Sequence, residues 1–390
     1  MPRSKFDAGD LLAIDSTLSG EELMVRDTVR AFVHDRVDPE IADWYAEGRF
    51  PTHLIPELGA LGLLGMQIEG YGCAGAGPIA HGLACMELEA GDSALRSFVS
   101  VQGSLAMFAI HALGSESQRR LWLPRMATGV VVGCFGLTEA EAGSDPGSMR
   151  TTARRRGQDW ELNGSKLWIT NGSIADLAVI WARTEDGIGG FLVTRGTPGF
   201  SATAMTNKLS MRASVTSELV LDGVVVQSHA QLPGAKGLGG ALRCLDEARL
   251  GVAFGALGAA RACFDCALNH CLSRSQFGRP LASFQLVQQK LVEMSLRINQ
   301  ATLLVLHLAR LKAVQQLTSA QVSMAKMVSA RCAREVAASA RGLLGASGIT
   351  LDYPVMRHMN NLESVFTYEG TDDIQVLAVG QALTGLSAFR

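Results

Sequence analysis

From Leu238 to the C-terminus, apolar residues recur at spacings of three and four over runs too long to be strands. Helices are expected over roughly 240–272, 283–314, 318–344, 353–366 and 371–387. Long amphipathic segments joined by short links pack as an antiparallel bundle. The same period runs from Gly20 to about Gly129, with Val25, Val29, Phe32 and Val33 on one stripe and Leu54, Leu58 and Leu61 on another. Between about Val130 and Pro233 the texture changes to short β-like runs bounded by turn residues. These are Trp160–Gly164, Lys166–Thr170, Leu177–Arg183, Gly190–Thr194 and Ser217–Val226, and their spacing suggests a small β-barrel or sandwich. The chain therefore reads as a mainly α member of the α+β class: a helical domain over 1–130, a β domain over 131–236 and a helical bundle over 237–390.

Composition excludes several functions. A formal charge of −2 gives no electrostatic reason to bind nucleic acid or an anionic membrane. The hydrophobic share of 47% is high, but charges and polar residues break it up, and no membrane span of about eighteen apolar residues is expected. Residues 1–10 lack the apolar stretch of a secretory leader, so the expected location is the cytoplasm. Eight scattered cysteines with apolar neighbours suit buried thiols in a reducing compartment. Cys263, Cys266, His270 and Cys271 invite a metal reading, but they continue an alanine-rich helical pattern on one segment, whereas a structural zinc site draws ligands from two. The glycines of Tyr71–Gly77 follow no strand and have the wrong spacing for a dinucleotide fingerprint.

The richest stretch chemically is Thr367-Tyr-Glu-Gly-Thr-Asp-Asp373, where a carboxylate stands between an aromatic ring and a glycine. Glycine lets a ligand approach the backbone. The Thr371 hydroxyl can bond a phosphate or ribose, and apolar surroundings would raise the pKa of Glu369 toward that of a working base. The same residues also suit a plain turn into the closing helix.

Three further motifs occur with it: Phe135-Gly-Leu-Thr138 with Gly143-Ser-Asp145, Trp168-Ile-Thr-Asn171 and Arg274-Ser-Gln-Phe-Gly278. In this combination, from about Leu23 to Phe389, the chain resembles the acyl-CoA dehydrogenases. Within that family it looks most like the glutaryl-CoA branch, through Arg96-Ser97, Ser100-Val-Gln102, Leu121-Trp-Leu-Pro124, Gly133–Thr138 and Thr384–Phe389. The resemblance implies FAD as cofactor, an acyl thioester as substrate and electron-transfer flavoprotein as redox partner. It also implies a homotetramer in which neighbouring subunits share the cofactor site.

By the same resemblance Glu369 is the base that takes the α-proton. Phe135, Leu137, Thr138, Gly143, Ser144, Trp168, Ile169 and Thr170 would run along the flavin and its ribityl chain. Arg274, a forked donor suited to pyrophosphate, would reach FAD with Phe277, Gln285, Gly342, Gly345 and Ala346. Thr371, Asp373 and Phe389 complete that set. Ser144, Leu242, Asp246, Arg249 and Gly370 would meet the CoA moiety of the substrate. Arg96, held by Glu89, would bind a distal carboxylate beside Ser97. The chain departs from the family at Ala346, where a glycine is common, at Asp246, where an amide is common, and at Phe98, whose ring would shorten the acyl pocket. Asp246 and Arg249 also fit a helix-face ion pair, and Arg96 and Glu89 a structural one. A related dehydrogenase acting on another short acyl-CoA or on an acyl-carrier-protein thioester, an oxygen-using flavin enzyme of the same fold, and a non-catalytic acyl-binding module remain as rival readings.

Overall fold

The computed structural model describes residues 10–389. Residues 1–9, on which the expectation about a leader rests, lie outside the described residues. The first part is helical: α1 (Gly20–Arg36), α2 (Ile41–Glu47), α3 (Ile55–Ala60), α4 (Pro78–Gly91), α5 (Ser93–Val99), α6 (Phe108–Leu113) and α7 (Glu116–Ala127). Sequence sets the starts locally. Ser19 with Glu22 and Ser115 with Gln118 form capping boxes on α1 and α7, and Asp92 caps α5 through the Ala94 N–H at 2.7 Å. Between α5 and α6 the chain stays helical but widens into a π-helical turn over Ser100–Met107.

The β part holds β1 (Gly133–Gly136), β2 (Thr152–Arg156), β3 (Asp159–Thr170), β4 (Leu177–Thr184), β5 (Gly187–Thr194), β6 (Phe200–Ala204) and β7 (Thr216–Val226) in one mixed sheet. β1 runs parallel to β4, while β3 with β7 and β4 with β5 are antiparallel. β5 and β6 each pair with one neighbour, so the hydrogen-bonded ladder does not close. Inward side chains nevertheless meet in one core, with Trp160 of β3 edge-on to Phe191 of β5 at 5.2 Å. The sheet is thus folded on itself, as a small barrel requires.

The bundle consists of α8 (Gly239–Ser273), a two-strand hairpin of β8 (Ser275–Gln276) and β9 (Arg279–Pro280), α9 (Gln285–Ala313), α10 (Ser319–Leu344), α11 (Val355–Thr367) and α12 (Asp372–Thr384). Two helical stretches, Ser93–Leu113 and Gly239–Ser273, are long and apolar enough to span a bilayer, contrary to the composition-based expectation. They are core helices: 94% and 78% of their most apolar windows are buried within the protein. α8 carries Gly251, Gly255 and Gly258 toward α4, and a Cβ at Gly258 would collide with the Met86 carbonyl. These glycines bring α4 close enough to α8 for the polar residues of α4 to reach the site described next.

Candidate active site

α11 ends at Thr367 and α12 starts at Asp372, so Tyr368–Thr371 form the turn between two packed helices. Glu369 and Gly370 both have positive φ, 53° and 93°, and for a glutamate this left-handed backbone is strained. The surroundings hold it there by its carbonyls. Lys326 Nζ donates to Tyr368 O at 2.7 Å and to Gly370 O at 2.5 Å. Arg249 Nε donates to Glu369 O at 2.8 Å, and Gln375 Nε2 to Gly370 O at 3.0 Å. A Cβ at Gly370 would come within 2.5 Å of Gln375 Nε2, so only glycine fits this grip. The Glu369 N–H has no hydrogen-bond partner among the described residues.

Glu369 is half-buried as a residue, but its Oε2 is sealed from solvent and unpaired. Burial pushes its carboxyl above the ordinary carboxylate value, against the pull of Arg96, Arg249 and Lys326. Lys326 is itself pushed down to about 8 by burial, partly offset by Glu369. Arg96, on α5, is fully buried. Its Nε donates to Glu89 Oε2 at 2.5 Å, its Nη2 donates to the Tyr368 hydroxyl, and its guanidinium carbon lies 5.5 Å from the centre of that ring. Ser93 Oγ donates to the other Glu89 oxygen at 2.8 Å. Arg96 Nη1 has no hydrogen-bond partner among the described residues. A buried guanidinium therefore stands beside the base, joined to it through the adjacent tyrosine.

Room for this ion pair comes from α8. A Cβ on Gly255 would collide with Glu89 Oε2 and come within 3.0 Å of Arg96 Nε. Gly255→Ala is expected to cost about 1–3 kcal/mol by overpacking and to displace Arg96. Thermal unfolding and kcat/KM measured together check this, and a variant with wild-type values in both would remove Gly255 from the site.

Behind the site, Asp92 Oδ2 accepts from Arg357 Nη1 at 2.5 Å and from Asn361 Nδ2 at 2.9 Å. Asn361 Oδ1 accepts in turn from the Met211 N–H at 2.8 Å. The cap of α5, the helix leading to Glu369 and a loop of the sheet are thus fixed by one buried network. Phe98, two helical positions from Arg96, points away from it and stacks on Phe50 at 5.0 Å. Positions i and i+2 lie on opposite sides of a helix, so this ring and the Arg96 guanidinium occupy different faces of α5. Ser97 is buried beside Arg96.

Two segments face outward near the sheet. The β3–β7 register slips between Lys166 and Ile169, and Trp168 takes φ 64° with its side chain 56% exposed. A core position for this indole is therefore excluded, and Ile169 takes the buried place instead. Phe135 and Leu137 are buried, Thr138 and Thr170 half-buried. Gly143 and Ser144 lie exposed in the β1–β2 loop, and a Cβ at Gly143 would meet nothing within 4 Å. Far along the chain, Arg274 shares a cavity of about 560 Å³ with Gly342, Gly345 and Ala346. Gly342 and Gly345 face open space there, and φ 60° at Gly345 suits glycine. Phe277, Gln285, Asp373 and Phe389 are exposed outside this cavity. Thr371 is spent partly as the cap of α12, accepting from the Ile374 N–H at 3.3 Å.

Leu242 is partly exposed on α8. Asp246 and Arg249 form the i,i+3 ion pair at 2.8 Å, and Ser319 Oγ donates to Asp246 at 2.6 Å. Arg249 is thus both paired and bonded to the Glu369 turn. Sequence reasoning missed Lys326 and Gln375. Lys326 carried a signal: it is the lone charge on the Val322, Lys326, Ala330 stripe of α10, buried throughout.

Comparison with known proteins agrees across the whole chain. Family models described as acyl-CoA dehydrogenase N-terminal, middle and C-terminal domains match residues 19–130, 134–224 and 235–384. A glutaryl-CoA dehydrogenase from Mycobacterium smegmatis is 59% identical, with a TM-score of 0.97 over 98% of this chain and 99% of that one. A second glutaryl-CoA dehydrogenase structure from that organism, in complex with FADH2, is 53% identical with a TM-score of 0.97, covering 97% and 98% of the two chains. The mitochondrial short-chain specific acyl-CoA dehydrogenase of Bos taurus is 35% identical over 375 residues, 94% of this chain and 90% of its own. With its three-domain fold and the Glu369 turn at the centre, the chain belongs to the acyl-CoA dehydrogenase family, flavin-dependent oxidoreductases that act on a CH–CH bond and use FAD.

Proposed function

We propose that this enzyme oxidises glutaryl-CoA, with Glu369 as the base and Arg96 as the anchor for the distal carboxylate. The observation that carries this reading is the buried Arg96 guanidinium, tied to Glu89 and to Tyr368 next to the base. A plain fatty chain offers no reason to place a buried cation at the far end of its pocket, whereas a carboxylate is the best partner for a guanidinium.

The residues present fit FAD. The outward indole of Trp168 and the open Gly143 offer one surface, and Arg274 beside Gly342 and Gly345 at the end of α10 offers a cationic cradle for pyrophosphate. When bound, FAD supplies the acceptor for the hydride that leaves the β-carbon. The Glu369 carboxylate takes the α-proton, and its raised pKa matches it to that weak acid. The Glu369 N–H donates to the thioester oxygen as negative charge develops on it. In its acid form Glu369 can then return a proton after CO2 leaves the oxidised product, giving crotonyl-CoA.

Exposed apolar residues on the hairpin, α9 and α12, among them Phe277, Leu286, Val292 and Leu383, support the proposed tetramer. Electron-transfer flavoprotein is the proposed acceptor, and eight free thiols support a reducing, cytoplasmic setting. A second reading, a plain short acyl-CoA substrate, is favoured by the 35% identity to the short-chain specific relative. In that case the Arg96–Glu89 pair is only structural. Steady-state turnover over a panel of acyl-CoA thioesters, with the product mass determined, separates the two. Turnover of glutaryl-CoA to a product lighter by CO2 and two hydrogens is expected, and no turnover of glutaryl-CoA would leave the short-chain reading.

A further inference from the structure

Lys166 and Glu139 are buried ionisable groups with no part in the chemistry above. The Lys166 side chain is fully buried on β3, and Nζ donates to Leu137 O at 3.0 Å and to Glu139 Oε1 at 2.8 Å. Its stem crosses Gly136, where a Cβ would come within 3.3 Å of Lys166 Cγ. The Glu139 carboxylate also accepts from the Arg150 N–H at 2.6 Å and the Thr151 N–H at 3.0 Å, which closes the β1–β2 loop from both ends. A reciprocal main-chain pair between Glu139 and Ala142, at 3.2 Å each way, shapes the loop that carries Gly143 and Ser144. The Leu167 N–H donates to Thr138 O at 2.9 Å.

Leu137, Thr138 and Glu139 are therefore each fastened to Lys166 or Leu167. One residue on, the strand slips register and turns Trp168 outward. Burying a lysine has a desolvation cost that an apolar residue of equal volume avoids, so the ion pair is a poor device for stability alone. What it does uniquely is fix two distant segments in one register. We propose that Lys166, acting through Glu139, is a positioning residue for FAD, locking the 137–144 loop to the Trp168 segment before the cofactor binds. This rests on the reading that FAD lies along these two segments. Preorganising both walls removes an ordering cost from binding.

The test uses the purified holoenzyme of Lys166→Met and of Glu139→Gln. FAD dissociation on dilution is followed by flavin fluorescence, and on heating the same signal is compared with loss of helical circular dichroism. Lys166→Met is expected to weaken FAD binding at least tenfold and to release flavin below the temperature at which helices melt, with excess FAD restoring coincidence. Glu139→Gln should act in the same direction, and the double variant no more strongly than Lys166→Met, since the two work as one unit. A lowered melting temperature with flavin release still coincident and FAD affinity unchanged would overturn the proposal. If Lys166→Met does not fold, Glu139→Gln decides alone: wild-type FAD affinity there overturns it, a tenfold loss supports it. A wild-type chain that holds no FAD would instead sink the reading of the cradle itself.

Discussion

Glu369→Gln is expected to bind FAD and acyl-CoA normally while substrate-dependent bleaching of the flavin slows by ~10²- to 10⁴-fold, the range typical of a lost general base. The amide keeps the size of the carboxylate and leaves the main-chain grip of Arg249, Lys326 and Gln375 untouched. Wild-type bleaching rates in stopped flow would exclude Glu369 as the base. The pKa shift adds a second check. A base must be ionised, and since burial raises the Glu369 carboxyl above its ordinary 4.5, activity is lost as pH falls through that raised value. The same shift acts oppositely on stability: a carboxyl whose folded pKa exceeds its unfolded one favours folding below the unfolded pKa, and that contribution is lost as pH rises through the folded value. Above that raised value an ionised Glu369 is therefore a burden on the fold. Glutamine, never charged, should melt at a higher temperature than wild type, the usual trade between stability and activity at a strained site.

That burden was only half legible in the sequence. The Tyr-Glu-Gly-Thr stretch identified the carboxylate, and helical periods located the bundle closely: 240–272 became Gly239–Ser273, and 318–344 became Ser319–Leu344. What holds the carboxylate in a left-handed turn lies 43 residues upstream on Lys326 and 120 upstream on Arg249, and no local pattern connects them. β1, β2 and β6 were missed for a related reason. Gly133–Gly136 has two glycines in four residues and Thr152–Arg156 has three consecutive arginines, so neither shows the alternation of a strand. Tertiary pairing makes them strands, β1 through a parallel ladder with β4 that no short turn encodes. Gly255 was equally invisible: glycine in a helix reads as a weakness, and its purpose appears only once Glu89 and Arg96 are seen against it.

Arg96→Ala should lower kcat/KM for glutaryl-CoA by about 30- to several thousand-fold, since truncating one side of a buried charge pair costs roughly 2–5 kcal/mol. Butyryl-CoA, which lacks a distal charge, should lose far less. The geometry sharpens the experiment, because Arg96 has two obligations. Removing it takes from Glu89 the partner at 2.5 Å and leaves a buried carboxylate with only Ser93. It also strips the Tyr368 hydroxyl next to the base. A general loss on every substrate can therefore arise from Glu89 and Tyr368 alone. The control is Arg96→Met with Glu89→Gln, which removes both charges and refills the volume. Replacing a buried pair by neutral groups is often tolerated where halving it is not. If Arg96 anchors the distal carboxylate, the double variant should recover butyryl-CoA oxidation and still fail on glutaryl-CoA. Recovery on both thioesters would make the pair structural, and the short-chain reading would follow.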